Sequence, residues 1–224
     1  MAHREFKERL YAEFARIGKA VASPQRLEFL DLLAQREWSV EELARETGQT
    51  VANASAHLKV LRSARLVETR RAGTYVYYRL ADQNVVRLWQ VIRDIGQDRL
   101  AEIDRIVDSF INRDAEFHPI DCQTLRERLQ SENILVLDVR PRDEYEAGHL
   151  PGARSIPIDE LESHLEELPH EAEIVAYCRG HYCLFADEAV ELLRQRGYTA
   201  RRLVEGFPDW QLAGLPVERE GASE

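Results

Sequence analysis

Cysteine is scarce in this 224-residue chain, which holds three: Cys122, Cys178 and Cys183. Three thiols cannot build a disulfide framework, and one is left over under any pairing. In a reducing compartment such thiols are structural, metal-bound or reactive. Long apolar runs are also missing, because charges or turn residues interrupt every hydrophobic stretch before a membrane-spanning length. The opening Met-Ala-His-Arg-Glu-Phe-Lys-Glu-Arg has no apolar segment of the kind a secretory signal needs. These absences predict a soluble, cytoplasmic chain with no membrane partner. There is no internal repeat and no low-complexity tract, so repeat architectures are excluded.

What is present is an ordinary soluble balance, 44% hydrophobic and 31% charged, in a length that suits two domains. The net charge of −10 is unevenly placed. Residues 1–112 carry +2 and residues 113–224 carry −12. Between 45 and 79 the bases Arg45, Lys59, Arg62, Arg65, Arg70, Arg71 and Arg79 face only Glu46 and Glu68, a local +5. A basic segment inside an acidic chain is either a phosphate-facing surface or a solvated face with unpaired arginines.

The first half reads as helices. Phe6, Leu10, Phe14 and Ile17 recur at helical spacing, and Ser23-Pro24 opens a second helix with Leu27, Leu30 and Leu33. Ser39 caps a third that Gly48 ends, and Thr50 caps a fourth running to about Arg62. Residues 66–70 and 75–79 alternate as two strands around Ala72-Gly73, a hairpin. One long helix with Val85, Leu88, Ile92, Ile95, Ile103, Ile106 and Phe110 on one side is expected next, and its stripe calls for a second copy. The polar stretch 113–119 is expected as linker, dividing a mainly α winged helix-turn-helix domain (1–112) from a small α/β domain (120–220). Apolar runs at 134–139, 173–177 and 200–206, with helical stretches between them, predict a mainly parallel sheet in that second domain.

A short helix, a Gly turn and a Thr-capped helix fit a helix-turn-helix, and the following hairpin would be its wing. Thr50, Asn53, Ser55, Ala56 and Lys59 would face the major groove, with Arg70, Arg71 and Thr74 near the wing tip. Asn can read adenine, while lysine and arginine suit phosphates. Ser55-Ala56-His57-Leu58-Lys59, then Leu61, Leu66-Val67 and Tyr78-Arg79-Leu80, resemble the winged-helix repressors of the ArsR/SmtB family over roughly residues 5–110. The resemblance implies a homodimer, joined through its first and last helices, that binds double-stranded operator DNA and leaves it on a signal. It also singles out His57, either at the DNA or packed beneath the DNA face. The family's usual metal sites are not matched: the third helix has no cysteine and the last has no histidine. Carboxylates at Asp94, Asp98 and Glu102 are poor soft-metal ligands, so no metal and no cofactor is expected.

In the second half, Tyr177-Cys178-Arg179-Gly180-His181-Tyr182-Cys183 follows an apolar strand and precedes an amphipathic helix. A loop there turns backbone N–H groups inward beside a helix N-terminus, which predicts a Cys178 thiol of lowered pKa. A cysteine phosphatase would need an arginine closing the loop, where this chain has Leu184 and Phe185. The segments 137–140, 145–153, 204–210 and 214–217 resemble the signature segments of a rhodanese domain, over about 118–218. The resemblance implies that Cys178 takes a sulfane sulfur as a persulfide from a small donor. The loop residues Arg179, Gly180, His181, Tyr182 and Leu184 would hold that donor, and Asp138, Arg140 and His149 would act as scaffold. His181 stands where many sulfurtransferases have glycine, and Cys183 where they have Arg or Thr. Cys183 is either a resolving thiol for the persulfide or a small buried hydrophobe.

Two functions fit these residues. One is a homodimeric repressor whose second domain senses or handles reactive sulfur through Cys178, bridged or not to Cys183. The other is a sulfurtransferase enzyme with the winged helix as a dimerisation or autoregulatory module. Arsenic sensing by two thiolates without a third ligand is a weaker third.

Overall fold

The computed structural model describes residues 2–110, 119–130 and 132–220. The chain divides into two compact units, residues 1–93 and 94–224, with the division inside one helix. Most of the expected linker, 113–118, lies outside the described residues.

The first unit opens with α1 (Ala2–Val21) and α2 (Pro24–Leu33), the latter with Pro at its first position, where the missing N–H costs nothing. A two-residue strand β1 (Trp38–Ser39) leads into α3 (Val40–Glu46). The Ser39 side chain accepts from the Glu42 N–H while the Glu42 carboxylate accepts from the Ser39 N–H, a complete capping box. Gly48, at φ 63°, makes the left-handed turn into α4 (Val51–Ser63), whose cap Thr50 accepts from the Asn53 N–H at 3.2 Å. Strands β2 (Val67–Ala72) and β3 (Tyr75–Leu80) pair antiparallel in the expected hairpin, with Ala72 opposite Tyr75 and Gly73 at φ 60° in the turn. β1 adds to the other edge of β3, giving a three-stranded sheet. Phe29, Leu30, Leu43, Leu58 and Leu61 are fully buried where α2, α3 and α4 meet. Each such side chain contributes about 1.5–3 kcal/mol by leaving water.

The single long helix expected after the hairpin is two. α5 (Gln83–Arg99) runs across the division between the units, and α6 (Ala101–Phe110) follows a break at Leu100. Seven residues along a continuous helix are about 10 Å apart, yet a β-carbon on Gly96 would lie 3.0 Å from Ile103 Cδ1. The chain bends at Leu100, and the missing side chain of Gly96 leaves room for Ile103.

The rest of the second unit is a small α/β layer structure. In chain order it holds α7 (Cys122–Arg128), β4 (Ile134–Asp138), α8 (Arg142–Ala147), β5 (Arg154–Ser155), a 3-10 turn (Leu161–Glu167), β6 (Glu173–Tyr177), α9 (Phe185–Gln195), β7 (Ala200–Arg202) and α10 (Phe207–Leu212). The four strands lie in the order β5-β4-β6-β7, all parallel. Alternation sends Leu137, Ile174 and Ala176 into one face with α9, and Val136, Val175 and Tyr177 into the other with α7 and α10. This is the expected α/β fold with a parallel sheet. Cys178 lies where β6 leaves the sheet at its carboxyl end, the edge at which open α/β sheets place ligands.

Candidate functional site

The first candidate surface is α4 with its hairpin. Leu58, Leu61 and Ala54 face the core, which leaves Asn53, Ala56 and Lys59 exposed on the opposite side, with Ser55 half-buried. His57 is half-buried with its ring edge-on to buried Phe29 at 6.1 Å, the packing geometry of a residue beneath a surface. Arg71 and Thr74 are exposed at the hairpin tip. Arg70 is engaged: its guanidinium donates to Glu37 at 2.7 and 2.9 Å and lies 5.0 Å from the Tyr77 ring. Val51 and Ala52 are also exposed in the first turn of α4 and were not singled out by the sequence pattern.

The second candidate site is the loop from Cys178 to Leu184, and a buried polar foundation holds it. Arg140 is fully buried, and its guanidinium donates to Asp138 at 2.6 and 3.0 Å and to the Gly148 carbonyl at 2.7 Å. The Tyr177 hydroxyl donates to Asp138 and accepts from the Leu150 N–H at 3.2 Å. His149 stacks on Tyr145 at 3.7 Å, and its Nδ1 is 2.8 Å from the Tyr145 carbonyl. Asp138, Arg140 and His149 thus do brace loops, as expected of scaffold.

Above this foundation, Arg179 forms a two-point pair with fully buried Glu144 at 2.5 and 2.9 Å. The guanidinium of Arg179, expected among the residues that hold the donor, is engaged by Glu144. Burial raises the Glu144 pKa, and the Arg179 and Arg140 charges oppose that rise. Arg202, at the end of β7, was missed in the sequence. It donates to the loop carbonyls of Gly180 at 3.2 Å and His181 at 2.8 Å, and pairs with Asp187 at 3.3 Å. These bonds tie the loop to the end of β7. Gly206 packs against the loop so closely that a β-carbon would stand 2.3 Å from the Arg179 carbonyl carbon.

The structure overturns the expected Cys178 acidity. Cys178 is 2% exposed, and burial, with Cys183 beside it, raises its pKa well above that of an ordinary thiol. Cys183 moves the other way. The neighbouring Cys178 side chain and the N–H groups of Arg179 and Phe185 lower its pKa against its own burial. The expected amide cradle is present in part, with N–H groups facing both sulfurs. Of the other loop residues, the Gly180 N–H faces Cys178, and the Cys183 N–H is spent on the Gly180 carbonyl at 3.1 Å. Tyr182 is exposed and, with Leu184, Ile103, Ile106, Val107 and Phe110, lines an apolar hollow of about 340 Å³ on the same unit. Cys122 is buried far from solvent, and its pKa is raised by burial and by Glu205 and Asp209. Among the described residues, no group of three or more His, Cys, Asp or Glu side chains is placed to hold a metal ion, and no helix is long and apolar enough to cross a membrane.

Comparison with known proteins divides the chain at the same two sites. Residues 23–69 match the bacterial regulatory protein, arsR family, and residues 121–213 match the rhodanese-like domain. The HTH-type transcriptional regulator Rv0324 of Mycobacterium tuberculosis is 44% identical over 219 residues, covering 96% of this chain and 94% of its own. A sulfurtransferase of Allochromatium vinosum is 31% identical over 100 residues, covering 44% of this chain and 92% of its own. Among solved structures, the homodimeric winged helix-turn-helix DNA-binding domain of Mb0332 from Mycobacterium bovis is 46% identical with a TM-score of 0.40. It covers 42% of this chain and 87% of that one. With similarity running through both halves of one regulator, the chain belongs to the ArsR family of HTH-type transcriptional regulators, in a form that carries a C-terminal rhodanese-like domain.

Proposed function

We propose that this chain is a homodimeric, cytoplasmic repressor that binds double-stranded operator DNA through α4 and the β2–β3 wing. It leaves that DNA when the Cys178–Cys183 loop takes up sulfane sulfur from a small persulfide or polysulfide donor. The observation that carries the reading is the thiol pair itself. Two cysteines share one braced loop of the rhodanese-like half, while the first 121 residues of the chain contain none. Signal chemistry by thiols therefore belongs to the second half and DNA contact to the first. Dimerisation is supported by α1, where Phe6 and Phe14 are each 61% exposed beside Leu10 and Tyr11, an apolar face left uncovered among the described residues. Thr50, Asn53, Ser55, Ala56 and Lys59 form the groove face, Arg71 and Thr74 the wing contacts, and Arg70 a wing residue shared with Glu37. His57 supports the helix from below.

The test is a titration of the full chain on its own upstream DNA, with and without polysulfide, while the mass of the loop peptide is read in parallel. Release of DNA together with added sulfur supports sensing. A tenfold loss of affinity needs only about 1.4 kcal/mol of coupling. Polysulfide-driven release that persists in Cys178→Ser,Cys183→Ser refutes it.

The similarity to a sulfurtransferase favours a second reading, an enzyme whose winged helix serves dimerisation or autoregulation. Steady turnover of thiosulfate, abolished by Cys178→Ala, with DNA binding indifferent to sulfur, is its signature.

A further inference from the structure

Beside the cysteine loop, α6 presents one apolar face. Ile103, Ile106, Val107 and Phe110 stand at i, i+3, i+4 and i+7, so they share one side of that helix. With Tyr182 and Leu184 of the loop they line the hollow of about 340 Å³, a size that small ligands occupy. Val107 is buried, whereas Ile106 is 58% and Phe110 73% exposed. Among the described residues that line the hollow none is charged, and the Tyr182 hydroxyl donates to Gln97 Oε1 at 3.5 Å. The hollow also shares a wall with the sulfur site. Tyr182 and Leu184 flank Cys183, and the Cys183 carbonyl, bonded to the Leu184 nitrogen, lies 3.5 Å from the Cys178 Sγ. An occupant is therefore held against the loop that carries both thiols.

The same loop offers an anion little. Anionic ligands are drawn by cations with N–H groups to give. Arg179 is committed to Glu144, and Arg202 to two loop carbonyls and Asp187. We propose that the hollow seats the hydrocarbon body of the sulfane donor, so that the loop draws sulfur from apolar organic hydropersulfides in preference to thiosulfate. This rests on the reading that the loop takes up sulfane sulfur at Cys178, and it names the class of donor. With a donor R–S–SH, R lies against α6 and Leu184 while the Cys178 sulfur attacks the terminal sulfur. The donor S–S bond breaks and its electron pair leaves on R–S⁻. Cys178–S–SH forms, and the proton given up by the Cys178 thiol ends on the departing R–SH. No net oxidation occurs, so no other reactant is needed.

Two measurements on the reduced full chain test this. In the first, methyl resonances of Ile103, Val107 and Leu184 are followed while 1-ethanethiol or 1-hexanethiol is added. Saturable shifts are expected, with hexanethiol binding about tenfold or more tighter, since each methylene leaves water. In the second, the mass of the loop peptide is followed with ethyl, butyl and hexyl hydropersulfide and with thiosulfate. Sulfur gain at Cys178 should quicken about twofold to fourfold per methylene, with thiosulfate slower than the hexyl donor. Both effects should vanish in Ile106→Ser,Phe110→Ser, two exposed positions, with β6 amide exchange checking that the unit stays folded. Should that variant unfold, the chain-length series on the wild-type chain still decides. Unmoved methyls, a flat series, or thiosulfate faster than the hexyl donor overturns the proposal. Methyls that answer to dilution of the protein rather than to thiol give the hollow to a second copy and overturn it too. Sulfur gain at one rate for every chain length overturns this inference alone. Methyl shifts without sulfur gain from any donor overturn the sulfur reading, and the donor assignment with it.

Discussion

Replacing Gly206 with alanine tests whether the cysteine loop is held in place by packing from behind. The new β-carbon would stand 2.3 Å from both the carbonyl carbon and oxygen of Arg179 and 2.4 Å from the Gly180 nitrogen. Ordinary carbon contacts sit near 3.5–4.0 Å, so more than an ångström must be found, and the obstacle is backbone rather than a side chain that can swing away. Conformation is not the cause, since φ −112° and ψ −174° suit any residue. Overpacking costs typically about 1–3 kcal/mol, and with rigid atoms on both sides we expect the upper end, about 3 kcal/mol. Gly197→Ala is the counterpart: φ +85° with open space around it, so only the left-handed conformation is charged, about 1–2 kcal/mol. Hydrogen exchange of the β6 and α9 amides in the full chain reads the stability of this unit separately from the other. Gly206→Ala should also change the rate at which iodoacetamide labels the loop cysteines, because the clash displaces the loop backbone at Arg179 and Gly180, whereas Gly197→Ala should not. Protection within about 0.5 kcal/mol of wild type, with unaltered labelling, would refute the reasoning.

Asp138→Asn breaks the pair with fully buried Arg140. It should cost about 3–5 kcal/mol, because a buried charge loses its counterion; loss of β4 and β6 exchange protection checks it. Ser39→Ala removes half of the capping box of α3 and should destabilise the first unit by about 1 kcal/mol in urea unfolding. That box also sets a pH dependence. Burial opposes it, but hydrogen bonds from Ser39 and the Arg36 charge lower the Glu42 pKa below 4.5. The stabilisation is therefore present above pH 4.5 and lost as pH falls through the lower folded-state value, and Glu42→Gln should flatten that part of the stability curve. On the wing, Arg71→Ala should reduce the salt slope of operator binding by about one. Arg70→Ala should change it less, since Glu37 already occupies that side chain; equal slopes would show that the ion pair opens on DNA.

The helices and hairpin of the first half were legible because each carries a local signal: Pro24 and Ser39 at starts, Gly48 and Gly73 at positive φ. The break at Leu100 was not, since the apolar stripe continues through it and the close approach of Ile103 to Gly96 is invisible to periodicity. Short elements such as β5 and α8 lack the length for a pattern. In the sulfur site, the cysteine pair and its strand–loop–helix setting were readable, as were Asp138, Arg140 and His149 as scaffold. The Cys178 acidity was misjudged because loop position says which amides are near but not how deeply the sulfur is buried. Arg202 escaped notice because it lies 24 positions after Cys178 and joins the loop only through the pairing of β6 with β7. Arg179 looked available because Glu144, 35 positions earlier, gives no sequence hint that it faces it.

The parallel sheet has a further consequence for how this protein can be handled. Asp138, Cys178 and Arg202 each stand at or just past the carboxyl end of its strand, so all the chemistry gathers at one rim. The amino ends, reached through the turns before β4, β6 and β7, carry none of the site residues. A fluorophore, affinity handle or surface tether attached at an exposed turn there, such as Glu171, would report on or immobilise this unit from the end of the sheet opposite the thiols. Sheet polarity thus hands the experimenter a silent side.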